Sequence, residues 1–154
     1  MKPVMIITGA GRGIGAATAL MAAQKGYAVA VNYRSDKASA DKVVAEIEAD
    51  GGRAIAVQAD VVDEAAIVAM FETVDRELGR VEVLVNNAGV VDQISRVDEM
   101  SFERVDRMMK INVVGPFICA REAIKRMSTR HGGKGGVIVN VGSAASHLGG
   151  AGEY

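Results

Sequence analysis

The chain has 154 residues, a net charge of −1 and 49% hydrophobic residues, enough for one domain, residues 1–154, to bury its own core without disulfides or metals. The balanced charge offers neither the basic field that nucleic acid requires nor an acidic tail, so the expected partner is a small molecule. A strand pattern begins directly after Met1-Lys2-Pro3 and no apolar run approaches the roughly 18 residues of a membrane helix, so a cytoplasmic protein without signal peptide or membrane partner is expected.

Short apolar strands alternate with longer helical patterns along the chain. Val4 to Thr8 reads as a strand and runs into Thr8-Gly9-Ala10-Gly11-Arg12-Gly13-Ile14-Gly15, which opens a helix from Ile14 to Lys25 ended by Gly26. A second strand is expected at Ala28 to Tyr33, a helix at Ala38 to Asp50 before Gly51-Gly52, and a third strand at Ala54 to Gln58. Asp63 caps a helix over Glu64 to Leu78, and a fourth strand covers Val83 to Asn86. One long helix is expected from Phe102 to Thr129 behind Ser101. Its apolar residues Val105, Met108, Met109, Ile111, Phe117, Ile118 and Ile124 read individually as core rather than interface. Cys119, the single cysteine, is expected to be a buried helical residue in a reducing compartment. His131-Gly132-Gly133-Lys134-Gly135-Gly136 reads as a mobile surface turn before a last strand, Val137 to Val141.

This order predicts an α/β fold, a doubly wound parallel sheet of Rossmann type covered on both faces. The last strand is apolar almost without alternation, as a central strand would be, yet few residues follow it and they are mostly Gly, Ala and Ser. It is expected at an open edge, and the fold is expected to be C-terminally incomplete.

The glycine stretch is the strongest functional signal. Glycines let backbone approach a diphosphate, and the following helix start aims unpaired N–H groups at its charge. Its spacing, Gly9-x-x-x-Gly13-x-Gly15, differs from the common G-x-G-x-x-G dinucleotide fingerprint, and a glycine turn between strand and helix can also be purely structural. A nucleoside triphosphate loop is excluded, because no glycine here precedes Lys and then Ser or Thr.

Four signals in order, Thr8 to Gly15, Asp60-Val61, Asn86-Asn87-Ala88-Gly89 and Ser143, make the chain resemble the short-chain dehydrogenase/reductase family from Val4 to Glu153. Among its members it is most similar to sugar and alcohol dehydrogenases and 3-oxoacyl-carrier-protein reductases. The resemblance implies hydride transfer between a nicotinamide and a carbonyl or alcohol substrate. It assigns Gly9, Arg12, Gly13, Ile14 and Gly15 to the phosphate cradle, Asp60 and Val61 to adenine, and Asn87, Ala88 and Gly89 to the adenosine ribose, with Asn86 structural. It gives Ser143 the role of holding the substrate oxygen, and Asn112 a place in a proton path through a water on its carbonyl. Pro116, four residues on, has no N–H for that carbonyl in an α-helix, and a kink that fits the helix against its neighbour is the alternative reading of the proline.

Where an acidic residue would select NAD, the second strand ends Asn32-Tyr33-Arg34-Ser35. Arg34 and Arg12 together favour the 2′-phosphate of NADP over NAD, though either alone reads equally well as a solvated surface residue. The family's Tyr-x-x-x-Lys motif is not matched after Ser143. Gly152-Glu153-Tyr154 resembles the segment before its tyrosine, but Tyr154 is not assigned the proton-transfer role. The 154-residue chain is therefore expected to be inactive as it stands, and the alternative is a truncated nucleotide-binding or scaffold protein. Family analogy adds a homo-oligomer, dimer or tetramer, paired through the long helix.

Overall fold

Strand β1 (Val4–Ile7) is buried at every position, which requires cover on both faces of the sheet. In the computed structural model, which describes residues 2–149, Val4 and Ile6 point to one side and Met5 and Ile7 to the other, each pair joining a different hydrophobic core. The remaining strands are β2 (Ala28–Tyr33), β3 (Arg53–Gln58), β4 (Val81–Asn86) and β5 (Val137–Asn140). They form one sheet in the order β3-β2-β1-β4-β5, and every pairing is parallel. The expected doubly wound parallel sheet is what the chain forms.

Helices α1 (Gly13–Gln24) and α2 (Lys37–Ala49) cover one face, burying Ala19, Ala22, Ala40, Val43 and Ile47 against Val29, Val31 and Val85. On the other face, α3 (Glu64–Glu77) and α5 (Gly115–Met127) bury Ile67, Met70, Phe71, Val74, Cys119 and Ala123. Asp63 caps α3 as expected, its carboxylate accepting from the N–H groups of Ala65 and Ala66. Ser101 likewise caps α4 (Phe102–Met109), and a short α6 (Ala145–Leu148) follows β5.

The expected single helix from Phe102 to Thr129 is instead broken into α4, a π segment at Lys110–Val114, and α5, with Thr129 in a 3₁₀ turn. Within the π segment Gly115 donates to the Lys110 carbonyl, five residues back rather than four. The extra residue brings Gly115 against β3's exit loop, where a Cβ would stand 2.6 Å from the Val61 carbonyl oxygen. It also corrects the expected core. Ile111 is buried, but Val105, Met109, Phe117 and Ile124 are exposed, because α5 turns Cys119, Glu122, Ala123 and Met127 to the sheet.

The glycine-rich turn expected to be mobile is tied down. The Arg80 guanidinium donates to the carbonyls of Arg126, His131 and Gly132, and Gly135 donates to the Met127 carbonyl. Strand β5 pairs with β4 alone among the described residues, and its Val137 is 55% exposed, so it lies at the expected open edge although its apolar sequence reads as a central strand.

Candidate active site and nucleotide cleft

The strand order places β1, the centre of the sheet, between β2 and β4, so the loops leaving their carboxyl ends converge. There they enclose a cavity of about 500 Å³, at the switch point where open α/β sheets hold ligands. Its floor is the glycine stretch. Gly9 and Gly13 have φ values of +63° and +57°, in the left-handed region that disfavours a Cβ. Gly15 serves a different need: a Cβ there would stand 2.6 Å from both the Asn87 amide nitrogen and the Gly9 carbonyl oxygen.

Helix α1 starts in this cavity. Arg12, its N-cap residue, makes no capping bond, and no acidic residue occupies the first turn. Helix α2, by contrast, is capped by Asp36, which accepts from the Ser39 N–H and hydroxyl. Those two bonds, with the Arg12 charge adding to them, hold the Asp36 carboxyl below its usual range.

Of the residues expected to bind cofactor, Gly9, Arg12, Gly13, Ile14, Arg34, Asp60, Val61, Asn87, Ala88 and Gly89 all line the cavity. Gly15 sits beneath them as a packing residue. Asp60 has one carboxylate oxygen occupied by the Val62 N–H at 3.1 Å. The Asn87 amide nitrogen donates to the carbonyls of Thr8 and Gly9, at 2.8 and 3.2 Å, while Thr8 Oγ1 accepts from the N–H groups of Asn87 and Ala88. Asn87 thus joins the glycine loop to β4 as well as lining the cavity. Asn86 bridges strands as expected, its amide nitrogen donating to Asn140 Oδ1 at 2.9 Å.

Asn112 and Ser143 lie outside the cavity lining. Asn112 grips the loop after β4 at both ends of its amide: Oδ1 accepts from the Val90 N–H at 2.9 Å and Nδ2 donates to the Val90 carbonyl at 3.0 Å. The expectation at the Asn112 carbonyl assumed an α-helix through Pro116, whereas Lys110–Val114 is a π segment in which Gly115 donates to the Lys110 carbonyl. Ser143 is exposed in the turn before α6, where its hydroxyl oxygen accepts from the Ala145 N–H at 3.2 Å. Gly152-Glu153-Tyr154 lies outside the described residues.

Asn32 and Asp36 carried no assigned role in the sequence, and Thr8 only its place at the head of the glycine stretch. Asn32 is almost fully buried in β2, and an amide inside an otherwise apolar strand was the available signal. On α5, burial raises the Cys119 thiol to about 12, with Glu122 adding to it. Burial also pushes Glu122 upward, but Lys125, Arg121 and Arg126 outweigh it and hold that carboxyl low.

No helix among the described residues is long and apolar enough to cross a membrane. The chain is 48% identical over 98% of its length to the uncharacterized oxidoreductase YgfF of Escherichia coli, covering 61% of that protein. It is 40% identical over 97% of its length to a 3-oxoacyl-[acyl-carrier-protein] reductase of Synechocystis, covering 59% of it. It thus spans about three-fifths of the length of these curated relatives. A solved short-chain dehydrogenase/reductase of Serratia marcescens superposes with a TM-score of 0.86 at 33% identity, over 94% of this chain and 56% of that one. The family description "short chain dehydrogenase" matches residues 3–154, and with the cleft at the switch point of its sheet, the chain belongs to the short-chain dehydrogenase/reductase family.

Proposed function

We propose that the chain forms the nucleotide-binding part of an NADP-dependent oxidoreductase that acts on a small carbonyl or alcohol substrate. The observation that carries this reading is the uncapped start of α1, opening into a cavity lined by both Arg12 and Arg34. Unpaired N–H groups and two guanidinium groups in one cleft suit a diphosphate and a further phosphate. Asp36, which with Asp60 lines the same cavity, already accepts from the Ser39 N–H and hydroxyl, one bond at each carboxylate oxygen.

The residues fit a nicotinamide dinucleotide, with Gly9, Arg12, Gly13 and Ile14 at the phosphates, Asp60 and Val61 at adenine, and Asn87, Ala88 and Gly89 at the ribose. When bound, that cofactor supplies or accepts hydride. Ser143 holds the substrate oxygen with its hydroxyl, and Asn112 keeps the loop after β4 in place through Val90. The described residues of the cavity support nucleotide binding by this chain. Cys119, buried and unpaired, supports a reducing compartment such as the cytoplasm.

The test is calorimetric titration with NADP and NAD. NADP is expected to bind more tightly, and Arg34→Asp to reverse or abolish the preference. Tighter NAD binding, with Arg34→Asp changing neither affinity, overturns the cofactor assignment. A second reading, a nucleotide-binding scaffold, draws on the exposed Phe102, Met109 and Phe117 of α4 and α5. That apolar strip also supports self-association as a dimer or tetramer, which sedimentation checks.

A further inference from the structure

Asn32 is 1% exposed, and its amide reaches three segments of chain at once. Its Oδ1 accepts from the Gly9 N–H at 3.1 Å, and its Nδ2 donates to the carbonyls of Val57 and Ala59, at 3.3 and 3.1 Å. Its backbone carbonyl accepts from the Ala10 N–H at 2.8 Å. The glycine loop and the end of β3 are therefore joined through this one side chain in the cavity lining, beside the backbone bonds that tie each of them to β2, from the Ala10 N–H to the Asn32 carbonyl and from the Ala59 N–H to the Tyr33 carbonyl. Gly9 and Ala59, its partners on either side, both line that cavity, and Asp60 and Val61 follow Ala59 directly. No direct bond between these segments duplicates the link in the hydrogen bonds of the described residues.

We infer that Asn32 is a positioning residue that fixes the spacing between the phosphate loop and the adenine-side wall, so that a ligand spanning both finds them already in register. This rests on the dinucleotide reading above. Asn32 is among the residues that line the cavity, yet it is almost wholly buried and every bond of its side chain goes to backbone; a buried amide satisfied at both ends is costly to replace. Its effect must then appear in ligands long enough to touch both walls, because only these depend on the distance between them.

Asn32→Asp keeps an acceptor for the Gly9 N–H and loses the donor to Val57 and Ala59. Calorimetry compares NADP, which spans the cleft, with adenosine, which has no phosphate for Arg12 and occupies the adenine side only. Loss of two buried bonds is expected to weaken NADP about tenfold, and adenosine by no more than about threefold. A general loosening of the fold would weaken both by the same factor. Equal losses, or none, overturn the inference. Hydrogen exchange on the ligand-free chain supplies a second reading: the variant should speed exchange at Gly9, Ala10 and Ala59 while leaving Leu84 and Val85 of β4 unchanged. Uniform acceleration refutes the link. If the wild-type chain bound no pyridine nucleotide, the proposed function would fail by itself, and the exchange pattern would still decide whether Asn32 joins the two walls. Should Asn32→Asp not fold, Asn32→Thr, whose hydroxyl cannot span Gly9 and both carbonyls, is measured in the same two ways.

Discussion

Replacing Gly15 with alanine sets two opposed effects against each other, and the structure decides which is larger. Alanine in a helix is favoured over glycine by about 1 kcal/mol. The new Cβ, however, would lie 2.6 Å from the Asn87 amide nitrogen, 2.6 Å from the Gly9 carbonyl oxygen and 2.9 Å from the Ala10 Cα. Two of these are backbone atoms of the phosphate loop, so no flexible side-chain tip can swing aside. Overpacking of this kind costs about 1–3 kcal/mol, and the backbone contacts place Gly15→Ala near the upper end. The net expectation is a loss of about 1–2 kcal/mol, seen as a melting temperature lower by about 2–8 °C for a chain of this size. Displacing the loop from Asn87 should also weaken NADP. Gly13→Ala is the control, since nothing lies within 4 Å of its Cβ and only its φ of +57° is strained. Differential scanning calorimetry with and without NADP measures both quantities. A Gly15→Ala chain that melts at or above the wild-type temperature and binds NADP equally well would refute the close-approach reasoning.

Asn112→Ala removes two bonds to Val90 at an exposed position, so a stability loss of about 1 kcal/mol is expected, with faster amide exchange at Val90 as the specific sign. Glu122 has a lowered folded pKa, so its contribution is complete above its ordinary value of 4.5 and disappears as pH falls through the folded value. Thermal melts of the wild type should therefore drop more steeply below pH 4.5 than those of Glu122→Gln, and parallel curves would contradict the assignment. With its pKa near 12, Cys119 should be almost wholly thiol at pH 8 and react with a disulfide reagent only on unfolding. Rapid modification of the native chain would show that the residue is accessible.

Much of the fold could be read from local pattern. Apolar runs of strand length alternating with capped helices announced the parallel sheet, and Asp63 and Ser101 marked the starts of α3 and α4 as capping chemistry requires. The glycine stretch was equally legible, because positive φ at Gly9 and Gly13 and the tight approach at Gly15 are demands on single residues. The π segment escaped. Lys110 to Val114 has ordinary helical composition, and its shifted hydrogen-bond register goes with the close approach of Gly115 to Val61, distant in sequence. The fixed glycine turn escaped for a similar reason, since Arg80 holds it from across the fold.

From the chain alone come the element types and a phosphate loop, since each depends on residues a few positions apart. Tertiary structure alone decides which side chains complete the site. The order β3-β2-β1-β4-β5 carries Arg34, Asp60 and Asn87 to the same cavity as Gly9, and it places the Asn32 amide between Gly9 and Ala59. Local periodicity can mark a strand as buried, but a buried amide's partners are set by which strands lie beside it, and that is a property of the whole sheet.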